Sequence, residues 1–405
     1  VNAYFDGSGA PAGKADTLLA DLPQEIAIYS GRIDYLHPLK KGARFEAGLK
    51  SSIVKTDNNA VYDSISYGQV VRDLNRSNYF IYEENINAAY VNLSTPLSAK
   101  LNAQLGLRVE NTIAKGRQAT TGQQFERNYT QLFPTVYFQY KANEKNNFGL
   151  NYGRRIRRPN YQSMNPFIEF LDRYTYQQGN PDLKPQFSHN IEASHTFRNF
   201  LTTTLNYSET NDIIQQVIQQ KGQEAYVRQE NIASARQIGI SVSSNMPITK
   251  WWTNSLYVNV FNNRFSGIID STSVTVEATT LALNGSQQFK LSKTWSAEIS
   301  GFYRTSGMEG VMEIGPMGMI AVGLSKQVFQ GKGSLRLNVR DIFLMQRTKG
   351  STVYANVDMS FTEARDSRVV NLGFTWRFSK GKMSNVKKRN GGSAGDEQNR
   401  VGVGG

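Results

Sequence analysis

The 405-residue chain carries 46 Lys and Arg against 33 Asp and Glu, a net charge of +13, and has 20 Tyr, 21 Phe, 4 Trp and no Cys. The absence of Cys removes disulfide frameworks, thiolate zinc sites and thiol nucleophiles, and no apolar run of about eighteen residues exists to form a membrane-crossing helix. The basic residues are spread along the whole chain instead of gathering on one face, which argues against a nucleic-acid partner and suits membrane rims and a polar channel.

Mean hydropathy is −0.47, yet aromatic residues make up 11% of the chain, a combination foreign to soluble helical proteins. The first residues, VNAYFDGSGAPAG, lack the charged-then-apolar layout of an export signal and the chain opens without Met, so the expected signal lies upstream of a fragment. Period-two alternation predicts strands over 25–38, 43–56, 82–96, 99–114, 127–141, 146–158, 185–197, 200–219, 225–246, 252–266, 276–291, 294–305, 315–328, 334–346 and 366–378. In the fourth, Leu101, Ala103, Leu105, Leu107 and Val109 share one face and Asn102, Gln104, Gly106, Arg108 and Glu110 the other. Near the end, Val370, Leu372, Phe374, Trp376 and Phe378 alternate with Asn371, Gly373, Thr375 and Arg377.

A soluble sandwich also alternates, with its apolar faces meeting inside. Three features favour a membrane wall. The segments reach the ~9–11 residues a tilted bilayer-spanning strand needs. Aromatics such as Trp251, Trp252, Trp295, Tyr303 and Trp376 gather near strand ends, where interfacial girdles belong. Tight turns, at 40–42, 143–146, 198–199, 249–250, 292–293 and 330–333, alternate with long connections over 57–80, 114–126, 159–184, 221–226, 267–275, 305–314 and 347–365, the asymmetry of a barrel with a periplasmic and an exterior side. The expected fold class is therefore all-β, an antiparallel transmembrane β-barrel. Fifteen strands is an odd number where bacterial single-chain barrels are even, so the expected whole is a 22-stranded barrel of which this is the C-terminal portion. Residues 1–378 form the barrel and 379–405, rich in Lys, Gly, Ser and Asn, a disordered periplasmic tail.

Residues 132–135 (LFPT), 152–161 (YGRRIRRPNY), 164–167 (MNPF) and 179–185 (GNPDLKP), with Arg340-Asp341-Ile342-Phe343, Arg368 and the closing Trp376-Arg377-Phe378, resemble the signature runs of TonB-dependent receptors, in particular of the outer membrane protein β-barrel family. That resemblance implies an N-terminal plug domain, contact with the TonB complex, location in the outer membrane among lipid and lipopolysaccharide, and active uptake of an extracellular solute. Iron chelate, cobalamin and glycan remain open as the solute class. The alternative is a passive or adhesive outer-membrane barrel that binds surface partners through its exterior loops.

Within the long connection 159–184, Pro159, Asn165, Pro166, Gly179, Asn180, Pro181 and Pro185 form a structural loop motif: glycine can take positive φ and proline fixes it, returning the chain stiffly to the next strand. Extending the alternation places Arg155 and Arg157 toward the lumen and Arg154 and Arg158 outward, where guanidinium groups suit lipopolysaccharide phosphates. Arg155, Arg157, Tyr161, Arg173, Tyr174 and Tyr176 are the candidate substrate-binding residues, since exterior loops carry recognition. His37, His189 and His195 read as ordinary strand residues. No nucleophile elbow, zinc helix, P-loop or dinucleotide fingerprint is present, so no enzyme activity, cofactor or metal is expected.

Overall fold

The computed structural model of the chain describes residues 7–11, 17–66, 69–74, 77–120, 122–166, 168–170, 175–221, 224–269, 272–354, 357–378 and 393–400. Fifteen strands follow one another, each antiparallel to the next: β1 Gln24–Pro38, β2 Arg44–Ser66, β3 Asn78–Pro96, β4 Leu101–Gln118, β5 Gln124–Lys141, β6 Asn146–Arg157, β7 Gln186–Phe197, β8 Leu201–Lys221, β9 Glu224–Pro247, β10 Trp252–Ile269, β11 Thr272–Lys290, β12 Trp295–Arg304, β13 Met317–Val328, β14 Gly333–Val339 and β15 Val370–Trp376. The number agrees with the alternation. Among the described residues β1 and β15 do not pair with each other.

Register carries the alternation from strand to strand. Leu49, Ala89, Val109 and Leu132 lie abreast on β2 to β5, and Ile299, Val322, Val339 and Val370 on β12 to β15. On the opposite face Glu298, Gly323, Asn338 and Asn371 line up in the same way. Large apolar side chains of the first set, among them Leu49, Leu107, Leu205 and Leu372, are exposed. An apolar surface that spans an entire wall is stable only against lipid.

Four of the tight turns share one device. Ser98 Oγ accepts from the N–H of Lys100 and Leu101, Asn143 Oδ1 from Lys145 and Asn146, Thr249 Oγ1 from Trp251 and Trp252, and Ser292 Oγ from Thr294 and Trp295, all within 2.9–3.3 Å. A short polar side chain thus satisfies backbone donors that the ladder leaves free. Arg198 and Asn199 both have positive φ, 48° and 59°, the two-residue hairpin turn whose twist matches its strands. Aromatic rings collect at this end: Trp251, Trp252 and Phe289 with centroids 6.1–6.3 Å apart, and Phe329 with Trp376 at 5.0 Å.

The other end differs from the sequence reading. Most of the connections expected as loops are strand: β2 runs 23 residues and β9 24, well beyond the bilayer requirement. Once outside lipid, a hairpin arm needs no apolar face, so backbone pairing continues after the alternation has faded. Thr17–Asp21 and Gln69–Arg72 pair with the outer part of β2. Gly307–Glu309, Met312–Ile314, Arg347–Tyr354 and Val357–Ala364 form a separate four-stranded sheet. It packs through Val311, Tyr354 and Val357 on Val217 of β8 and Val274 of β11, and the Tyr354 hydroxyl donates to Ile218 O at 2.6 Å.

The Arg340–Phe343 motif anchors that sheet. Asp341 is fully buried and accepts from the N–H of Met345 and Gln346 at 2.9 and 3.0 Å and from the Ser367 hydroxyl, while Arg368 donates to Ile342 O at 3.0 Å. One carboxylate therefore ties both ends of the 347–364 hairpin to the last two wall strands. Of the tail expected to be disordered, the described residues 393–400 instead include a short helix, α1 Gly395–Arg400, lying against the lumen face. Its charged residues find inward-facing partners there, a contact that composition alone does not reveal.

Candidate functional site

The polar face of the wall encloses two unlike regions. At the long-loop end of β1–β6 the lumen is filled. The described residues of 159–183 fold inward, so that Tyr161, Met164 and Leu183 pack with Val54, Phe80, Tyr82 and Ala114, each at most 6% exposed. A helical turn, Tyr161–Met164, starts this insertion with Asn160 Oδ1 accepting from Ser163 N at 2.6 Å.

Three buried carboxylates lie in this filling. Glu110 of β4 pairs with Arg158, whose guanidinium also donates to Thr112 Oγ1 at 3.0 Å. Glu84 of β3 receives the Tyr82 hydroxyl at 2.9 Å, the Tyr161 hydroxyl at 3.3 Å and the Arg400 guanidinium at 2.5 Å. Arg400 also covers the Tyr161 ring at 4.4 Å. Glu397 accepts from Ser52 Oγ at 2.8 Å and pairs with Lys50 at 3.0 Å. Each buried charge thus has an opposite charge and at least one hydrogen bond, the condition for placing it out of water.

The family motif forms the backbone of the insertion. A Cβ on Gly179 would stand 1.8 Å from Asn165 O, and its φ is not among the positive glycine values. Glycine is needed here for close approach, not for the left-handed turn expected from the sequence. Asn180 N donates to Ser163 O at 2.7 Å, its Nδ2 to Gln229 O at 3.0 Å, and its Oδ1 accepts from Asp182 N at 2.9 Å. Arg127 of β5 donates to Pro181 O at 2.8 Å and to Leu183 O. Pro159 is buried, and Asn165, Pro166, Pro181 and Pro185 are half-buried along the same path.

Between this insertion, β2 and the far wall at β8 and β9 lies a cavity of about 370 Å³. Ten of its seventeen lining residues are Asn or Gln, and Arg228 is the one ionisable group among them, paired with Glu230. Lower in the lumen, β8–β13 surround a second and more open space of about 580 Å³, where small polar residues such as Thr202, Ser243, Asn284, Ser286 and Ser300 alternate with Phe200, Tyr257, Phe302 and Met319.

The candidate residues fall in different places. By register Arg155 lies beside Ser188 and Arg157 beside Gln186 on the lumen face; both are exposed and form no ion pair with a described residue. Arg158, read as outward, instead turns into the lumen to Glu110, because β6 ends at Arg157 and the chain bends there. Arg154 bridges to β5, donating to Leu132 O and Gln131 Oε1 at 2.7 and 2.8 Å. Tyr161 is buried within the filling and not on an exterior surface. Tyr176 stacks on Tyr226 at 5.6 Å, one residue from the cavity wall. Arg173 and Tyr174 lie outside the described residues. Glu84, Glu110 and the amide lining are absent from the sequence-based set; acidic residues at lumen-face positions of β3 and β4 were the available signal. Tyr152 and Tyr35 hydroxyls contact His189 and His37 at 3.0 and 3.2 Å, and His195 contacts Asn146 at 2.9 Å. Among the described residues no group of three His, Cys, Asp or Glu side chains is placed to hold a metal.

A wall apolar outside, polar inside and asymmetric in its connections is that of an outer-membrane β-barrel. The chain belongs to the outer membrane protein β-barrel family, whose model matches residues 1–376. Its fold is similar to that of the ferric yersiniabactin uptake receptor of Yersinia pestis, with a TM-score of 0.60 at 14% identity over 90% of this chain and 56% of that one. It is also similar to a siderophore receptor of Acinetobacter baumannii, at 0.60 and 13% over 88% and 56%. For the ferric-catecholate import receptor of E. coli K12 the values are 0.59 and 13% over 89% and 55%. The chain thus spans little more than half the length of these structures, and identity at this level shows a shared fold. No curated protein matches in sequence.

Proposed function

We propose that the chain is the C-terminal barrel wall of a TonB-dependent receptor that takes up a scarce or large solute from outside the cell. The observation that carries this reading is the lumen face: it is polar inside a lipid-facing wall, and at its long-loop end the described residues of segment 159–183 cover it, with Tyr161, Met164 and Leu183 packed on Val54, Phe80, Tyr82 and Ala114. A free diffusion pore keeps its lumen open, whereas a segment packed onto the lumen face narrows that path and suits a gated receptor. In this reading the tight-turn end faces the periplasm, seven further strands complete 22, and of the tail 379–405 the described residues 393–400 lie against the lumen face. The partners are an N-terminal plug, the TonB complex, outer-membrane lipid and lipopolysaccharide, and the solute. Lys50 and Glu84, which here hold Glu397 and Arg400, are the ionic anchors a plug would meet.

The test is solute accumulation in a strain deleted for the full-length gene, with and without TonB. Uptake is expected to need both. Accumulation that persists without TonB, or adhesion to a surface partner with no accumulation, overturns this reading in favour of a passive or adhesive barrel.

A further inference from the structure

The cavity of about 370 Å³ at the long-loop end has an unusual chemistry. Among its amides, the side chains of Gln24, Asn58, Gln162, Gln177, Gln216 and Gln229 make no hydrogen bond to a described residue, although each offers two donors and an acceptor. They converge from β1, β2, the inserted segment, the Thr175–Gln178 strand, β8 and β9. Gln24, Gln162, Gln177 and Gln216 are exposed and Asn58 and Gln229 half-buried, so these amides face water and are open to a solute that enters the cavity.

We propose that this cavity binds a neutral, hydroxyl-rich solute, a short oligosaccharide. A hydroxyl donates and accepts at once, as an amide does, so each ring carries several groups that pair with amides in either orientation. Charge excludes the main competitor. A ferric chelate built on catecholates or carboxylates is anionic and calls for guanidinium or ammonium groups, but the one cation in the lining, Arg228, is already held by Glu230. The exposed Arg155 and Arg157 do not line the cavity. Leu22, Pro23 and Val227 supply apolar contact for the C–H faces of sugar rings, and the volume lies within the ~300–1,000 Å³ of small-molecule sites. The contact of Gly179 with Asn165 gives the family motif a role in shaping this cavity, since both residues border it.

The inference rests on the reading of the chain as a solute receptor, and its test separates the two. The full-length receptor that contains this chain, folded in detergent micelles, is titrated calorimetrically with neutral trisaccharides of glucose, xylose, mannose and N-acetylglucosamine, with a ferric tris-catecholate, and with tripeptides blocked at both ends. At least one trisaccharide is expected to saturate the chain. Asn58→Leu and Gln216→Leu, each confirmed as folded by circular dichroism, are expected to weaken it about tenfold or more, as loss of one or two hydrogen bonds with a stranded partner implies. Gln288→Leu, on β11 away from the cavity, leaves it unchanged. Saturation by the chelate or the peptides alone, by no probe at all, or equally by the wild type and both leucine variants overturns the proposal. Trisaccharide binding with TonB-independent uptake sinks the transport reading and leaves this one standing; TonB-dependent uptake of an anionic chelate does the reverse.

Discussion

The lumen of β1–β6 and the lumen of β8–β13 are built by the same alternation and end in opposite physical states. In the first, inward residues are large or charged: Phe80, Tyr82, Glu84 and Glu110, all nearly inaccessible, and a returning segment packs onto them. In the second, small polar residues, Thr202, Ser243, Asn284, Ser286 and Ser300, stand among Tyr257, Phe302 and Met319 around an open space onto which no described segment returns. Period two decides which face a residue occupies, and whether a connection returns and packs onto that face then decides whether it is dry or wet.

Breaking the dry half has the largest expected effects. Phe80→Ala, at 2% exposure, removes a ring from a packed cluster and is expected to cost about 3–5 kcal/mol, read by urea unfolding of the chain in lipid vesicles. Glu110→Ala leaves Arg158 buried without its carboxylate, and a similar loss of about 3–5 kcal/mol is expected. Glu298→Ala on β12, in the wet half, removes only an exposed contact to Ser286 and is expected to stay within about 0.5 kcal/mol. If Glu110 and Glu298 cost the same, the two halves do not differ as described. The native absence of Cys permits a direct probe of the same difference: a cysteine at Ser286 should react promptly with a charged thiol reagent in the folded chain, and one at Thr112, 0% exposed, should not.

Smaller effects sharpen the boundaries of the dry region. Gly179→Ala forces its new methyl against Asn165 O and is expected to lose about 1–3 kcal/mol as an overpacked site, with increased protease cleavage near 160–183. The smallest concerns the exterior sheet. Asp341→Asn weakens the group that accepts from Met345, Gln346 and Ser367, and proteolysis of 347–364 should increase modestly over wild type at neutral pH.

How much of this was legible follows from what alternation encodes. The fifteen wall strands and the outward row from Leu101 to Val109 were readable because lipid demands an apolar residue at every second position. The arms beyond the bilayer were not, since 57–66, DNNAVYDSIS, has no such demand on it yet pairs fully with its neighbours. The same parity put Arg155 and Arg157 on the lumen face, and failed at Arg158, where the strand had ended. Prolines and glycine marked 159–185 as a stiff connection but not its direction, which depends on whether the opposing wall offers a partner such as Val54 or Arg127.

By itself, then, the sequence determined a membrane wall: its strands, its two faces, its aromatic rim and its tight turns, because each of these is a local pattern of two to four residues. Only the tertiary structure decided what fills that wall. Glu84 meets Arg400 across 316 positions, and the amide cavity draws on six separate stretches of chain. Such neighbours are set by how the sheet bends and where a long connection returns, which no local pattern contains.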